Sequence, residues 1–214
     1  MIKAVLFDLD GTITDPKEGI LNSIMYAVKK MGFEEKNKEE LVCFIGPPLH
    51  ISFQKRYGVS EQKSYEMVKA YREYYAQKGI FECYLYKGVL ELLEKLRLED
   101  VLLSLATSKP IYYANQLLQH FQIDHYFDFV AGSNMDGSRT DKKEVIAYAL
   151  ENIPSFEPDE ILMLGDREFD IEGGQYHQLA TAWAKWGYGL SEDILRLKPN
   201  HLIDSPVDLL GLWS

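Results

Sequence analysis

Asp8 and Asp10 stand one residue apart beside Gly11, and a second acidic pair, Asp166 and Asp170, lies far along the chain. Carboxylates gathered without a counter-charge raise one another's pKa, so such a cluster is costly. A hard divalent cation removes that cost, and an oxygen-only ligand set that leaves room for waters suits magnesium, Mg2+. Lys142 or Lys143 adds positive charge at the start of a predicted helix. Thr107 and Ser108 offer hydroxyls and backbone N–H groups just ahead of another, a setting that suits a phosphate. Together these groups can run phosphoryl transfer with a covalent step. One carboxylate attacks phosphorus while cation and lysine neutralise the equatorial oxygens. A second acid protonates the leaving oxygen, then deprotonates the water that cleaves the acyl phosphate. Asp8 and Asp10 fit these two roles, because residues i and i+2 of an extended chain share a face.

Each residue taken alone also has a plainer role. Asp-Gly-Thr is a common turn or helix cap, Thr107 is a plausible cap, and Lys142 a solvated surface lysine. Their placement in the chain separates the two readings. Ile2 to Phe7 is a short run of β-formers that ends in Asp8-Leu9-Asp10-Gly11-Thr12. Val101 to Ala106 reads as a strand ending at Thr107-Ser108, and Glu160 to Leu164 as one ending at Gly165-Asp166. Further strands are expected over Phe127–Ala131, Leu179–Trp183 and His201–Ile203, with helices between, including one over Lys142–Asn152. Strands separated by helices of this length pair in parallel through right-handed crossovers. The expected fold is α/β, a doubly wound parallel sheet. Asp8, Thr107 and Asp166 then lie just past three strand ends, in the crevice where open α/β sheets bind ligands.

Between the first and second strands, the chain reads as helical only. Pro16 opens one helical pattern, Gly46-Pro47-Pro48 interrupts the middle, and Tyr65, Met67, Val68, Tyr71, Tyr74 and Tyr75 form a stripe expected to be helix-packing core. The boundaries read from this pattern are 1–15 and 83–214 for the α/β core and 16–82 for an inserted all-helical domain. The 214 residues, 46% hydrophobic, are enough to bury a core without staples, and no low-complexity tract interrupts them. Lys+Arg 23 against Asp+Glu 33 leaves a net charge of −10, which argues against nucleic-acid or anionic-membrane partners. Cys43 and Cys83 cannot form a disulfide framework and read as stray buried thiols. The N-terminal apolar run is broken by acid at residue 8, too early for a signal peptide, so a cytoplasmic location is expected. The five histidines are dispersed, and Arg139 reads as a solvated loop residue.

At these positions the sequence resembles a known family. Asp8-Leu9-Asp10-Gly11-Thr12 is similar to the DxDGT signature of the haloacid dehalogenase-like hydrolase superfamily. Thr107 matches its hydroxyl motif, Lys142, three residues before Val145, its lysine motif, and Gly165-Asp166-Arg167-Glu168-Phe169-Asp170 its GDxxxD motif. The resemblance implies Asp8 as nucleophile and Asp10 as acid/base. Thr107, Ser108 and Lys142 would contact the phosphoryl group. Mg2+ would be held by the Asp8 side chain, the Asp10 backbone carbonyl and Asp166, with Asp170 supporting or ligating. The helical insertion corresponds to the family's cap, which closes over the site and selects substrate. Phe44-Ile45-Gly46-Pro47-Pro48-Leu49, with Gly46 as a substrate-contacting position, and Trp186-Gly187-Tyr188-Gly189 resemble the phosphoglycolate phosphatase-like branch and its 5′-nucleotidases. The implied activity is a phosphomonoesterase acting on a small phosphorylated metabolite, as a monomer or at most a weak dimer. The alternatives are a sugar-phosphate mutase of the same fold and a catalytically silent binding protein. The mutase would need insertion residues that reposition a bisphosphate, and the silent protein would keep an acid cluster that costs stability.

Overall fold

A computed structural model describes residues 1–213 of the chain. Its elements in chain order are β1 (Ala4–Phe7), β2 (Thr14–Asp15), α1 (Lys17–Lys30), α2 (Leu49–Tyr57), α3 (Glu61–Tyr75) and β3 (Tyr84–Leu85). There follow α4 (Val89–Leu98), β4 (Leu102–Pro110), α5 (Ile111–His120), β5 (Phe129–Ser133), α6 (Lys142–Asn152) and β6 (Ile161–Gly165). The chain ends with α7 (Glu168–Tyr176), β7 (Ala180–Ala184), α8 (Ser191–Leu197) and β8 (His201–Ile203). It divides into two compact units, Met1–Asp15 with Leu85–Ser214, and Pro16–Tyr84.

In the larger unit six parallel strands run in the order β5-β4-β1-β6-β7-β8. β1 is central, and all four of its residues, Ala-Val-Leu-Phe, are buried, as a strand covered by helices on both faces requires. The chain moves outward from β1 through β4 to β5, then crosses to β6 on the other side. This reversal makes β1 the topological switch point. Register fixes the rest. Phe7 lies opposite Leu105 on β4 and Leu164 on β6, so Asp8, Thr107 and Asp166 emerge at one edge. On one face Val145, Ile146 and Ala149 of α6 pack with Ala4, Leu6, Ala106, Ala131 and Met163.

The structure corrects several local expectations. Thr107 is inside β4 rather than past its end, because the pairing with β5 continues through Thr107–Gly132 before shifting register ahead of Pro110. Pro110 closes that strand. β5 begins two residues later than read. Cys43 is exposed, while Cys83 is buried.

The smaller unit holds α1 to α3. Ile20, Leu21, Ile24 and Val28 are buried there, as are Leu41, Phe44, Phe53 and Met67. The tyrosine stripe divides. Tyr71 and Tyr75 are buried and stacked with centroids 5.2 Å apart, whereas Tyr65 is exposed and stacks on His50. Arg56 makes a two-toothed ion pair to Glu35 at 2.8 and 2.9 Å, which holds the Glu35 carboxyl down at about 2.

Leu6, with no exposed surface at the centre of the sheet, is a sensitive probe of this core. Leu6→Ala is expected to cost about 2–5 kcal/mol, against less than about 0.5 for Leu98→Ala, whose side chain is exposed. Urea unfolding of both variants measures the difference, and equal midpoints would contradict the burial described.

Candidate active site

The loop after β1 is built by its own backbone. The Leu9 carbonyl accepts from the N–H groups of Ile13 and Thr14, both at 2.9 Å, and Gly11 N–H donates to Thr14 O at 2.7 Å. Gly11 has φ +95°, and a Cβ there would fall 2.3 Å from Asp166 Oδ2, so a side chain is excluded on both counts. This tight turn aims the two acids differently. Asp8, close to Lys142, points into the larger unit. Asp10 is bonded by Thr14 Oγ1 at 3.3 Å and ion-paired with Lys109. The expectation that the two acids share one face therefore gives way, at this turn, to separate partners.

Lys142 is the first residue of α6, whose start is fixed by Asp141, which accepts from Lys143 N–H at 2.8 Å. Its ammonium donates to Asp8 Oδ1 at 2.6 Å and to the Ala106 carbonyl at 2.9 Å, and lies 2.8 Å from Asp170 Oδ1. The side chain is only 5% exposed. Burial alone would strip its charge, but Asp170 and Asp8 outweigh that and raise its pKa above the ordinary lysine value. Lys143 instead sits over the Tyr176 ring. Of the two adjacent lysines, Lys142 is thus the one that reaches Asp8.

Asp166 and Asp170 follow from the β6–α7 junction. Asp170, in the first turn of α7, reaches back to accept Arg167 N–H at 2.9 Å, so its place three residues after Arg167 is that of a helix-capping carboxylate. Asp166 Oδ2 accepts from Tyr188 N–H at 2.7 Å, while its Oδ1 is buried without a hydrogen-bond partner. Gly187 lies against this carboxylate: a Cβ there would meet Asp166 Cβ at 2.2 Å. Burial, then the charges of Asp8 and Asp170, push the Asp166 carboxyl well above its ordinary range. The Asp170 carboxyl is raised too, chiefly by burial, against the pull of Lys142.

Ligand atoms of Asp8, Asp166 and Asp170 lie within 4.8 Å of one another. These three carboxylates face the ammonium of Lys142, which leaves two negative charges against it. An orphaned buried carboxylate oxygen and a deficit of two charges are what a divalent, oxygen-preferring cation corrects, so the residues fit such an ion. The Asp10 carboxylate stands outside this cluster.

Thr107 is buried and its Oγ1 accepts Lys109 N–H at 3.2 Å. Ser108 is half-buried, its carbonyl accepting Ser133 Oγ–H at 2.8 Å. Gly46 belongs to the smaller unit, exposed with φ +104°, and is not part of the constellation in the larger unit. Arg139 is not a solvated loop residue: it stacks on Tyr148 at 3.7 Å and donates to the Gly132 carbonyl at 2.9 Å.

Sequence reasoning missed Lys109, and the support around Tyr188. The Tyr188 hydroxyl is bonded to Asp15 and Tyr86, and Trp186 Nε1–H donates to the Thr12 carbonyl at 3.0 Å. Burial and the Asp15 charge raise both tyrosines above their ordinary values. The Trp186–Gly189 motif was the available signal for this support. For Lys109 it was a lysine two residues beyond Thr107.

Comparison with known proteins agrees with this geometry. The profile of the haloacid dehalogenase-like hydrolase family matches residues 5–184. A 5′-nucleotidase of Pseudomonas aeruginosa is 38% identical over 92% of this chain and 89% of its own length. The tyrosine-protein kinase PtkA of Mycobacterium tuberculosis is 36% identical over 89% of this chain, which spans 64% of that kinase. Among solved structures, a predicted phosphatase from Clostridium acetobutylicum is 36% identical, covers 100% of this chain and 99% of its own, and superposes with a TM-score of 0.93. No helix among the described residues is long and apolar enough to cross a membrane. A strand-end acid cluster, its buried lysine and these relatives together make the chain a member of the haloacid dehalogenase-like hydrolase family, an enzyme of its phosphatase class.

Proposed function

We propose that the protein is a Mg2+-dependent phosphomonoesterase that hydrolyses a small phosphorylated metabolite, of the nucleoside monophosphate or phosphoglycolate kind, through an aspartyl phosphate on Asp8. The observation that carries this reading is the Lys142 ammonium 2.6 Å from Asp8 Oδ1, which holds that carboxylate beside Asp166 and Asp170.

Asp8 Oδ attacks phosphorus, the bond from phosphorus to the ester oxygen breaks, and Asp10 in its acid form gives its proton to the departing oxygen. Water then attacks the same phosphorus, Asp10 takes its proton, and the bond between phosphorus and Asp8 breaks to release inorganic phosphate. Thr107, Ser108 and Lys142 hold the phosphoryl oxygens through hydroxyl, backbone N–H and ammonium groups, and Lys142 restrains the nucleophile. Asp8, Asp166 and Asp170, with the Asp10 backbone carbonyl, would hold Mg2+, which when bound supplies charge neutralisation at the phosphoryl oxygens. The inserted helical unit serves as the substrate-selecting cap, with Gly46 as one of its substrate contacts. The enzyme is cytoplasmic and works as a monomer.

Phosphate release from p-nitrophenyl phosphate, phosphoglycolate, nucleoside 5′-monophosphates and hexose phosphates tests this reading. Turnover is expected with Mg2+, lost in EDTA, and lower by on the order of 10^4-fold or more in Asp8→Asn, whose amide cannot form the acyl phosphate. Undiminished turnover in Asp8→Asn would overturn the covalent route, and isomer without free phosphate from a hexose 1-phosphate would point to a mutase.

The acid cluster gives a second test. Because burial raises the folded-state pKa values of Asp166 and Asp170 above those of an unfolded chain, they favour the metal-free fold most at pH below the ordinary carboxylate range, near 4. That contribution is lost as pH rises through the folded values toward neutrality. Mg2+ is therefore expected to raise the melting temperature more at pH 7.5 than at pH 5.5. At a hundred times its Kd the ion contributes about 2.7 kcal/mol. Thermal unfolding with and without Mg2+ measures this, and an equal shift at both pH values would contradict it.

A further inference from the structure

Lys109 is a buried cation outside the phosphoryl-site lysine motif. Its side chain is 6% exposed and its ammonium is ion-paired with Asp10, whose side chain is 18% exposed. Burying an ammonium is costly unless a charge partner is held in place for it. Here the backbone does the holding. Lys109 N–H donates to Thr107 Oγ1 at 3.2 Å, and the register of β4 against β5 shifts between Thr107 and Pro110, so the chain at Lys109 leaves the regular ladder. Both Asp10 oxygens are engaged, Oδ1 by the Thr14 hydroxyl at 3.3 Å and Oδ2 by Lys109. Neither belongs to the cluster of Asp8, Asp166 and Asp170, whose charges would repel a fourth carboxylate.

From this geometry we infer that Lys109 is the positioning residue of the acid/base: its ammonium holds the Asp10 carboxylate apart from the other three acids and over the strand that carries Thr107. This rests on the reading of Asp10 as the acid/base. Lys109 acts through Asp10. In this role it touches neither phosphorus nor the phosphoryl oxygens.

A lysine that bound the phosphoryl group would matter equally for every ester, because that group is common to all. A lysine that places a proton donor matters only where the leaving oxygen needs a proton. Alkyl phosphates need one, whereas p-nitrophenolate leaves without it. The experiment compares wild type, Lys109→Met, Lys109→Arg and Asp10→Asn with Mg2+ on p-nitrophenyl phosphate and on an alkyl monoester, a nucleoside 5′-monophosphate. Lys109→Met is expected to lower kcat on the alkyl ester by about 10- to 100-fold, part of the ~10²–10⁴-fold that a general acid–base supplies. On p-nitrophenyl phosphate the loss is expected to be under about threefold, with KM nearly unchanged for both, the same ranking in Asp10→Asn, and partial recovery in Lys109→Arg. Equal loss on both esters, a rise in KM alone, no loss, or a gain would overturn the inference.

A second measurement does not depend on activity. Melting temperatures of wild type, Lys109→Met, Asp10→Asn and the double variant form a cycle. The two single losses are expected to exceed the loss in the double variant, because each single change breaks the same pair. Additive losses would overturn the inference even in an active enzyme. If Asp10→Asn proves indifferent to the leaving group while the cycle still couples, the acid/base role of Asp10 fails. The Lys109 hold on that carboxylate stands.

Discussion

Repulsion between buried carboxylates is the constraint from which the rest of this structure follows. Asp8, Asp166 and Asp170 bring ligand oxygens within 4.8 Å of one another at the end of a sheet. In a poorly solvated site each ionised acid disfavours the next. Lys142 is the protein's own answer, 2.6 Å from Asp8 and 2.8 Å from Asp170. The dependence is mutual. Without the acids, burial would discharge the lysine, and without the lysine the Asp170 carboxyl would be raised further. One ammonium cannot balance three carboxylates, and the remainder falls on Asp166, the acid with an unpartnered buried oxygen.

The fold meets this constraint with backbone rather than with more side chains. Three segments far apart in sequence arrive at one edge because Phe7 is in register with both Leu105 and Leu164. The helix that begins at Lys142 is started by Asp141, and Asp170 caps its own helix while pairing with Lys142. Asp166 is held by a backbone N–H, that of Tyr188, whose hydroxyl is tied to Asp15 where the chain leaves the larger unit. Gly11 and Gly187 leave Asp166 room by having no Cβ. Local chemistry and global register agree at each of these positions, which is the condition for a sequence to specify one structure.

That agreement also explains what the sequence disclosed. Strands buried on both faces read as short apolar runs, so β1 and β6 were legible, as was α6 from its first residue to its last. The acids and Lys142 were legible because their spacing follows from strand ends and helix starts. The end of β4 was not, since a register shift leaves no hydrophobic pattern to read. Lys109 was hidden for a related reason. Lysine is normally solvated, and its partner Asp10 lies 99 positions away, joined to it only by strand pairing. Arg139 was misread in the same way, because nothing in a polar loop announces that the guanidinium will stack on Tyr148.

The proposed phosphoryl transfer through an aspartyl enzyme would make opposite demands on two neighbouring acids, one attacking as the carboxylate and the other gaining and losing a proton within the same cycle. Like groups are set to unlike tasks by giving them unlike surroundings. Asp8 and Asp10 are only two residues apart, too close for distance along the chain alone to give them different surroundings. The turn at Gly11 does what distance cannot, by sending the first to Lys142 and the acid cluster and the second to Thr14 and Lys109. The first environment is buried, crowded with carboxylates and short of positive charge, which suits a cation. The second is built around the ion pair with Lys109, with the Asp10 side chain 18% exposed. Lys142 at the start of α6 and Lys109 near the end of β4 thus divide four similar acids into a cluster of three and one set apart.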